Sequence, residues 1–287
     1  MLSPIDQLLI ILGASVLVMG VLWVVQRVLD DAGVVDVGWS YLLGFSGIFA
    51  AVTGTGGLWP RLAIGAMVGL WGIRLGTHLL IDRVLPGIED GRYTMLREMA
   101  GARIQPVLFV FFQAQAVSVP ILSIPFVLAA SSPRDGLGAP EIIGLVVWLG
   151  ALAGESIADT QLARFKKREG TKGFTCREGL WKYSRHPNYF FEWLMWVAYA
   201  LVALGASYGW LGFLSPLLIL VLVTKVSGIP PTEARALQSR RDYKDYQKTT
   251  SAFFPRPALS PPAAKPPTAS APTADDPNGG GAETEHP

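Results

Sequence analysis

Charge is scarce in this chain of 287 residues. Only 16% of them are Asp, Glu, Lys or Arg, where a soluble domain carries about a quarter. Cysteine occurs once, at Cys176, which excludes an intramolecular disulfide and a thiolate metal site. Three histidines, one of them His286, are too few for a dedicated metal centre. No G-x-G-x-x-G is present: GTGGLW at 54–59 has the wrong spacing and joins two apolar runs, so a Rossmann domain is excluded. Basic residues are missing from the opening MLSPIDQLLIILGASVLVMG. This stretch therefore lacks the n-region of a signal peptide and is expected to be retained as a first membrane helix.

What the chain has in abundance is apolar sequence. Hydrophobic residues make up 51% and the mean hydropathy is +0.37. They fall in seven runs, roughly 7–26, 34–53, 60–80, 107–130, 140–160, 190–207 and 209–226, each near the roughly 20 residues that cross a bilayer. The expected fold is an all-α integral membrane protein of seven transmembrane helices. Basic residues cluster after runs 3, 5 and 7, whereas the loops after runs 2 and 4 hold one arginine each and the loop after run 6 holds none. Positive charge favours the cytoplasmic side, so the N-terminus is expected outside and the C-terminus in the cytoplasm. One membrane domain, 1–256, accounts for these runs. Residues 257–287 are rich in Pro, Ala and small polar residues and are expected to be a disordered tail.

Ionisable groups at membrane depth are costly and point to function. Asp36 opens the second run. Trp71, Arg74, His78 and Asp82 recur at helical spacing on one face of the third. The densest polar stretch is 155–192, with Glu155 and Asp159 one turn apart, eight Lys or Arg between 164 and 185, and the run Arg185-His186-Pro187-Asn188-Tyr189. Carboxylates suit ribose hydroxyls or a carboxamide, or pair with nearby arginines; guanidinium and ammonium groups suit phosphates. Pro187 fits the first turn of a new helix, placing Asn188 and Glu192 on one face near its positive end. Arg240, Arg241, Tyr243 and Tyr246 follow the last run. They either close over the same site or lie on anionic headgroups.

Taken together, G-L-W-x-Y-S-R-H-P-N-Y-x-x-E, the upstream E-x-x-x-D and the downstream R-x-x-Y-x-x-Y with F-x-P resemble the bacterial branch of the steroid 5-alpha-reductase family. Asp36-x-x-Trp39 and WGIRLG at 71–76 match the same branch. The superfamily also includes sterol reductases and, more distantly, isoprenylcysteine carboxyl methyltransferases. The resemblance implies a multi-pass protein of the bacterial inner membrane that binds NADPH with its C-terminal half. It implies reduction of a carbon–carbon double bond conjugated to a ketone in a lipid or steroid-like substrate, with no nucleic-acid partner. Expected cofactor contacts are Glu155, Asp159, Arg164, Lys167, Arg168, Lys182, Tyr183, Arg185, His186, Asn188, Tyr189, Glu192, Arg241, Tyr243 and Tyr246. Family members polarise the ketone with a Glu on the second helix and a Tyr on the third. The third run here has no Tyr, so Asp36, Arg74 and His78 are expected to take that catalytic role. The rival readings are a methyltransferase using S-adenosylmethionine, as in the related carboxyl methyltransferases, and a non-enzymatic lipid-binding protein.

Overall fold

The computed structural model describes residues 1–87 and 89–259. The described residues are helical, with no strand and a single isolated bridge between Ser184 and Ser251. Eleven α-helices follow one another: α1 (Pro4–Leu29), α2 (Val34–Thr53), α3 (Leu58–Leu79), α4 (Gly91–Ala100), α5 (Ile104–Leu122), α6 (Ile124–Ala129), α7 (Ala139–Lys167), α8 (Pro187–Ala203), α9 (Leu214–Val221), α10 (Ile229–Ser239) and α11 (Tyr243–Thr249). Six stretches are long and apolar enough to cross a membrane, which makes this a multi-pass membrane protein. The run expected at 190–207 is α8, whose 17 residues cover about 25 Å at 1.5 Å per residue.

Two expected spans are broken where the sequence forces a break. The run at 107–130 divides at Ser123 into α5 and α6, with Pro120 and Pro125 on either side. Each proline lacks the N–H that an unbroken helix needs. The last run is a 3₁₀ segment at Gly209–Phe213, then α9, then a π turn at Leu222–Val226. At the other extreme α7 continues to Lys167, one to two turns beyond its apolar part. The basic residues Arg164 to Lys167 therefore sit on a helix and not in a loop. The tail expected from 257 falls outside the described residues from 260 onward. Its first residues are tied back, Leu259 N donating to the Thr249 carbonyl at 2.9 Å.

Close packing rests on small residues, as expected where helix contact and not water exclusion drives association. The α2–α3 pair meets through Gly44 and Gly72, where a Cβ on Gly72 would lie 2.5 Å from the Gly44 Cα. The α7–α8 pair meets where Gly154 accommodates the Phe191 ring. Between the two pairs lies an aromatic core. Trp71 packs edge-on against Trp196 at 5.5 Å, and Phe126 packs edge-on against Tyr199 at 5.3 Å. All four side chains are fully buried. This core brings α3 against α7 and α8 and sets the position of everything polar that follows.

Candidate functional site

The polar site lies where α3, α7 and α8 meet, toward the C-terminal end of α7. Arg74 Nη2 stands 2.6 Å from Glu155 Oε2, and Glu155 is buried. One turn further along α7, Asp159 accepts a hydrogen bond from Asn188 Nδ2 at 3.2 Å. Asn188 is in place because Pro187 starts α8 immediately before it, as its fixed φ favours. One turn into α8, Glu192 accepts from the indole N–H groups of Trp71 at 3.0 Å and Trp196 at 3.2 Å. The guanidinium of Arg74 acts electrostatically on all three carboxyl groups. Its Nε is buried and makes no hydrogen bond with the described residues. An unpaired buried donor costs about 1–3 kcal/mol, so this N–H is suited to an acceptor brought by a ligand.

Exposed cations follow this cluster along α7 and precede α8 in the chain. Along α7 the spacing from Glu155 to Asp159, Leu162 and Lys166 keeps one helix face, and the Lys166 charge reaches Asp159. Arg164, Lys167 and Lys182 are also exposed and make no side-chain hydrogen bond or ion pair with the described residues. Arg168 differs: it is paired with Glu178 at 2.7 Å, both in solvent. Tyr183 and Arg241 are exposed.

The Arg-His-Pro-Asn-Tyr run serves two ends. Asn188 faces the site, whereas Arg185 and His186 are absorbed by the segment that follows α9. Arg185 Nε donates to Glu233 Oε1 at 2.7 Å, and its Nη1 donates to the carbonyls of Gln247 and Thr250 at 3.1 and 2.6 Å. His186 Nε2 lies 3.2 Å from the same Glu233 oxygen, while Gln247 Nε2 donates to the other oxygen at 2.7 Å. Burial holds the His186 imidazole below its ordinary pKa, against the opposing pull of the Glu233 carboxylate. The His186 ring stacks on Tyr189 at 5.4 Å, and the Tyr189 hydroxyl meets Thr232 at 3.3 Å. Tyr246 donates to the carbonyl of Trp181 and, at 3.1 Å, to that of Ser184. Burial pushes the phenols of Tyr243 and Tyr246 well above the usual range. These residues dock α10 and α11 onto the loop before α8, and Glu233 is the group that sequence reasoning missed.

The three residues expected to polarise a carbonyl are held by different partners. Arg74 belongs to the cluster above. His78 is largely exposed and pairs with Asp82 at 3.0 Å, so the face shared by Trp71, Arg74, His78 and Asp82 divides into a buried half and a solvated half. Asp36 accepts from Arg92 Nη2 and from the Tyr93 hydroxyl, both at 2.9 Å. Arg92 in turn binds Asp90 at 3.1 Å, and Asp90 also receives Arg83 at 2.8 Å. Burial favours the neutral form of Asp90, but Arg92 outweighs it and holds the carboxyl below its ordinary pKa. Tyr93, on α4, thus brings a phenol hydroxyl to Asp36. Fifty-seven positions separate the two residues, and no local pattern marks the pair.

No curated protein and no solved structure matches this chain. A family model described as "Protein of unknown function (DUF1295)" matches residues 22–250, and the chain belongs to that family.

Proposed function

We propose that this protein is an NADPH-dependent reductase of a carbon–carbon double bond conjugated to a carbonyl in a membrane lipid. In this reading α8 is a seventh crossing, the N-terminus lies outside, and the polar end of α7 faces the cytoplasm of a bacterial cell. The observation that carries it is the α3–α7–α8 cluster: an acid–amide pair, a buried guanidinium N–H without a partner among the described residues, and exposed cations one to two turns further along α7. This donor set fits the cofactor. Asp159 and Asn188 would hold ribose hydroxyls or the carboxamide, and Lys166, Lys167, Arg164 and Lys182 would hold phosphates. Arg185, His186, Tyr243 and Tyr246 take no such contact here, because they hold α10 and α11 in place; their part is positioning.

When bound, NADPH would supply a hydride to the β-carbon, leaving an enolate that takes its proton at the α-carbon from solvent. The protein's task is then to stabilise the negative charge that develops on the carbonyl oxygen, which needs a donor fixed beforehand. Arg74 has that role through Nε, while its Nη2 stays on Glu155. The Tyr93–Asp36 hydrogen bond favours a second reading, in which that acid–tyrosine pair polarises the carbonyl. Turnover of a lipid enone with NADPH deuterated at the transferred position separates these. Wild-type protein is expected to place deuterium on the β-carbon. Arg74→Gln should lower turnover about 10²–10³-fold, the usual loss for an oxyanion donor, while Tyr93→Phe lowers it little. The opposite ranking moves polarisation to Asp36 and Tyr93, and no deuterium transfer at all refutes the reductase.

A further inference from the structure

Charge does not balance in the α3–α7–α8 cluster. Three carboxyl groups, on Glu155, Asp159 and Glu192, share the field of one guanidinium, Arg74. Fully ionised, they would leave two negative charges in excess. Glu155 is buried, and its ion-pair partner among the described residues is Arg74. Glu192 meets neutral donors: one oxygen takes the Trp71 indole N–H and the other that of Trp196, and both indoles are fully buried. The two glutamates repel each other. The Tyr199 phenol, which feels both of them, accepts from Trp148 and adds no charge. His78 and Lys166 act on Asp159 from solvent, and His78 is already paired with Asp82 at 3.0 Å. Asp159 also has the Asn188 amide. The uncompensated charge therefore falls on Glu155 and Glu192. Two carboxylates that share a buried site with one cation relieve the excess by keeping a proton.

We propose that Glu155 and Glu192 together hold one exchangeable proton, and that a ligand bringing positive charge to the cluster drives it off. In the reading above that ligand is the oxidised cofactor, so the inference rests on that reading. The nicotinamide ring is neutral in NADPH and positively charged in NADP+. Asp159 and Asn188 are the groups that would hold the ribose or carboxamide beside that ring. With its proton the cluster has one negative charge in excess and suits the neutral ring. Without the proton it has two, and the second is matched by the charged ring. Atoms and charge balance over a turnover. The β-carbon gains hydride, the enolate takes a proton from solvent, and the glutamate pair gives one proton to solvent. The pair takes a proton back when NADPH replaces NADP+. Glu155 and Glu192 thus select between the two oxidation states of one cofactor, and the selection depends on pH.

The test uses the full chain in phosphatidylcholine nanodiscs and measures the Kd of NADPH and of NADP+ by calorimetry across neutral and mildly alkaline pH. Both nucleotides carry the same phosphates, so titration of the phosphates and of the exposed cations cancels in the ratio of the two constants. One proton released with NADP+ alone makes the relative affinity for NADP+ rise about tenfold per pH unit while the pair titrates. In weak buffer with an indicator dye, NADP+ should release up to one proton per site and NADPH none. Glu155→Gln should flatten the ratio, and Glu192→Gln does the same if the first variant fails to accumulate. Asp82→Asn, in solvent, should leave the slope unchanged. A ratio that stays constant with pH while both nucleotides bind overturns the shared proton and leaves the reductase standing. A slope that persists in both Gln variants overturns the assignment to this pair. S-adenosylmethionine also carries a positive centre, on its sulfur, which S-adenosylhomocysteine lacks. Proton release with the first and not the second, without nucleotide binding, keeps the proton and removes the reductase. No binding of any of these ligands overturns both.

Discussion

Glu233 gives the sharpest prediction, because one carboxylate joins three segments. It receives Arg185, His186 and Gln247, and both Arg185 and Glu233 are largely shielded from solvent. Removing one partner of a buried ion pair costs about 3–5 kcal/mol, since the other charge stays behind uncompensated. Arg185 keeps two carbonyl acceptors, so Glu233→Ala belongs at the low end, about 3 kcal/mol. For a chain of this size that lowers Tm by roughly 6–12 °C. Glu233→Gln retains an acceptor without the charge and should lose about half as much. Tryptophan fluorescence during a thermal melt is a suitable assay, because Trp181 sits beneath this network with its indole N–H on the Ala158 carbonyl at 2.9 Å. Arg185→Ala should melt early in the same way. If both variants melt within about 2 °C of wild type and instead lose nucleotide affinity, Arg185 is a phosphate ligand and the docking role assigned here is wrong.

Asn188→Ala removes one hydrogen bond to Asp159 and should weaken NADPH binding roughly tenfold, a loss of about 1.5 kcal/mol, while the melt without nucleotide changes little; unchanged affinity by titration would make Asn188 structural. His186 predicts a pH dependence. Its folded-state pKa lies below the unfolded value of about 6.5, so the unfolded chain binds the extra proton first and stability falls as pH drops through and below that value. Melts at pH 7.5 and 5.5 should show this loss in wild type and a smaller one in His186→Asn, and equal slopes would place the effect elsewhere. The Arg74–Glu155 pair should show a double-mutant coupling of about 1–2 kcal/mol with Gln at both positions, above an exposed pair but discounted for the partly exposed arginine; additive melts would deny that the pair interacts.

Much of this arrangement was legible in the sequence, and the misses have physical causes. The E-x-x-x-D spacing and the proline before Asn188 anticipate where Glu155, Asp159 and Asn188 lie on α7 and α8, because helix period and proline geometry are local properties. The pairing of Asn188 with Asp159 is not local, being made across two helices. The Trp71–Asp82 face is a true helical face, but the regular part of α3 ends at Leu79 and gives way to a π turn at Leu80–Val84. Its far half therefore leaves the packed region, which is why His78 pairs in solvent. Asp36 stood out as an acid in an apolar run, yet its partners Arg92 and Tyr93 come from a short helix that reads as a connecting loop. Glu233 was invisible because α10 is amphipathic, and a glutamate on such a helix reads as solvent-facing. The prolines at 120 and 125 did signal a break in the fourth run, but apolar composition across them hid it.

Binding of NADPH at the α3–α7–α8 cluster is open to direct measurement. The most direct measurement is the melting temperature of purified protein with NADPH or S-adenosylmethionine at matched concentration. A ligand present at 100 times its Kd stabilises by about 2.7 kcal/mol, or roughly 5–10 °C at this chain length. That shift is expected with NADPH, none with S-adenosylmethionine, and a reduced NADPH shift in Asn188→Ala. A shift with S-adenosylmethionine and none with NADPH would contradict it and assign the cluster to methyl transfer.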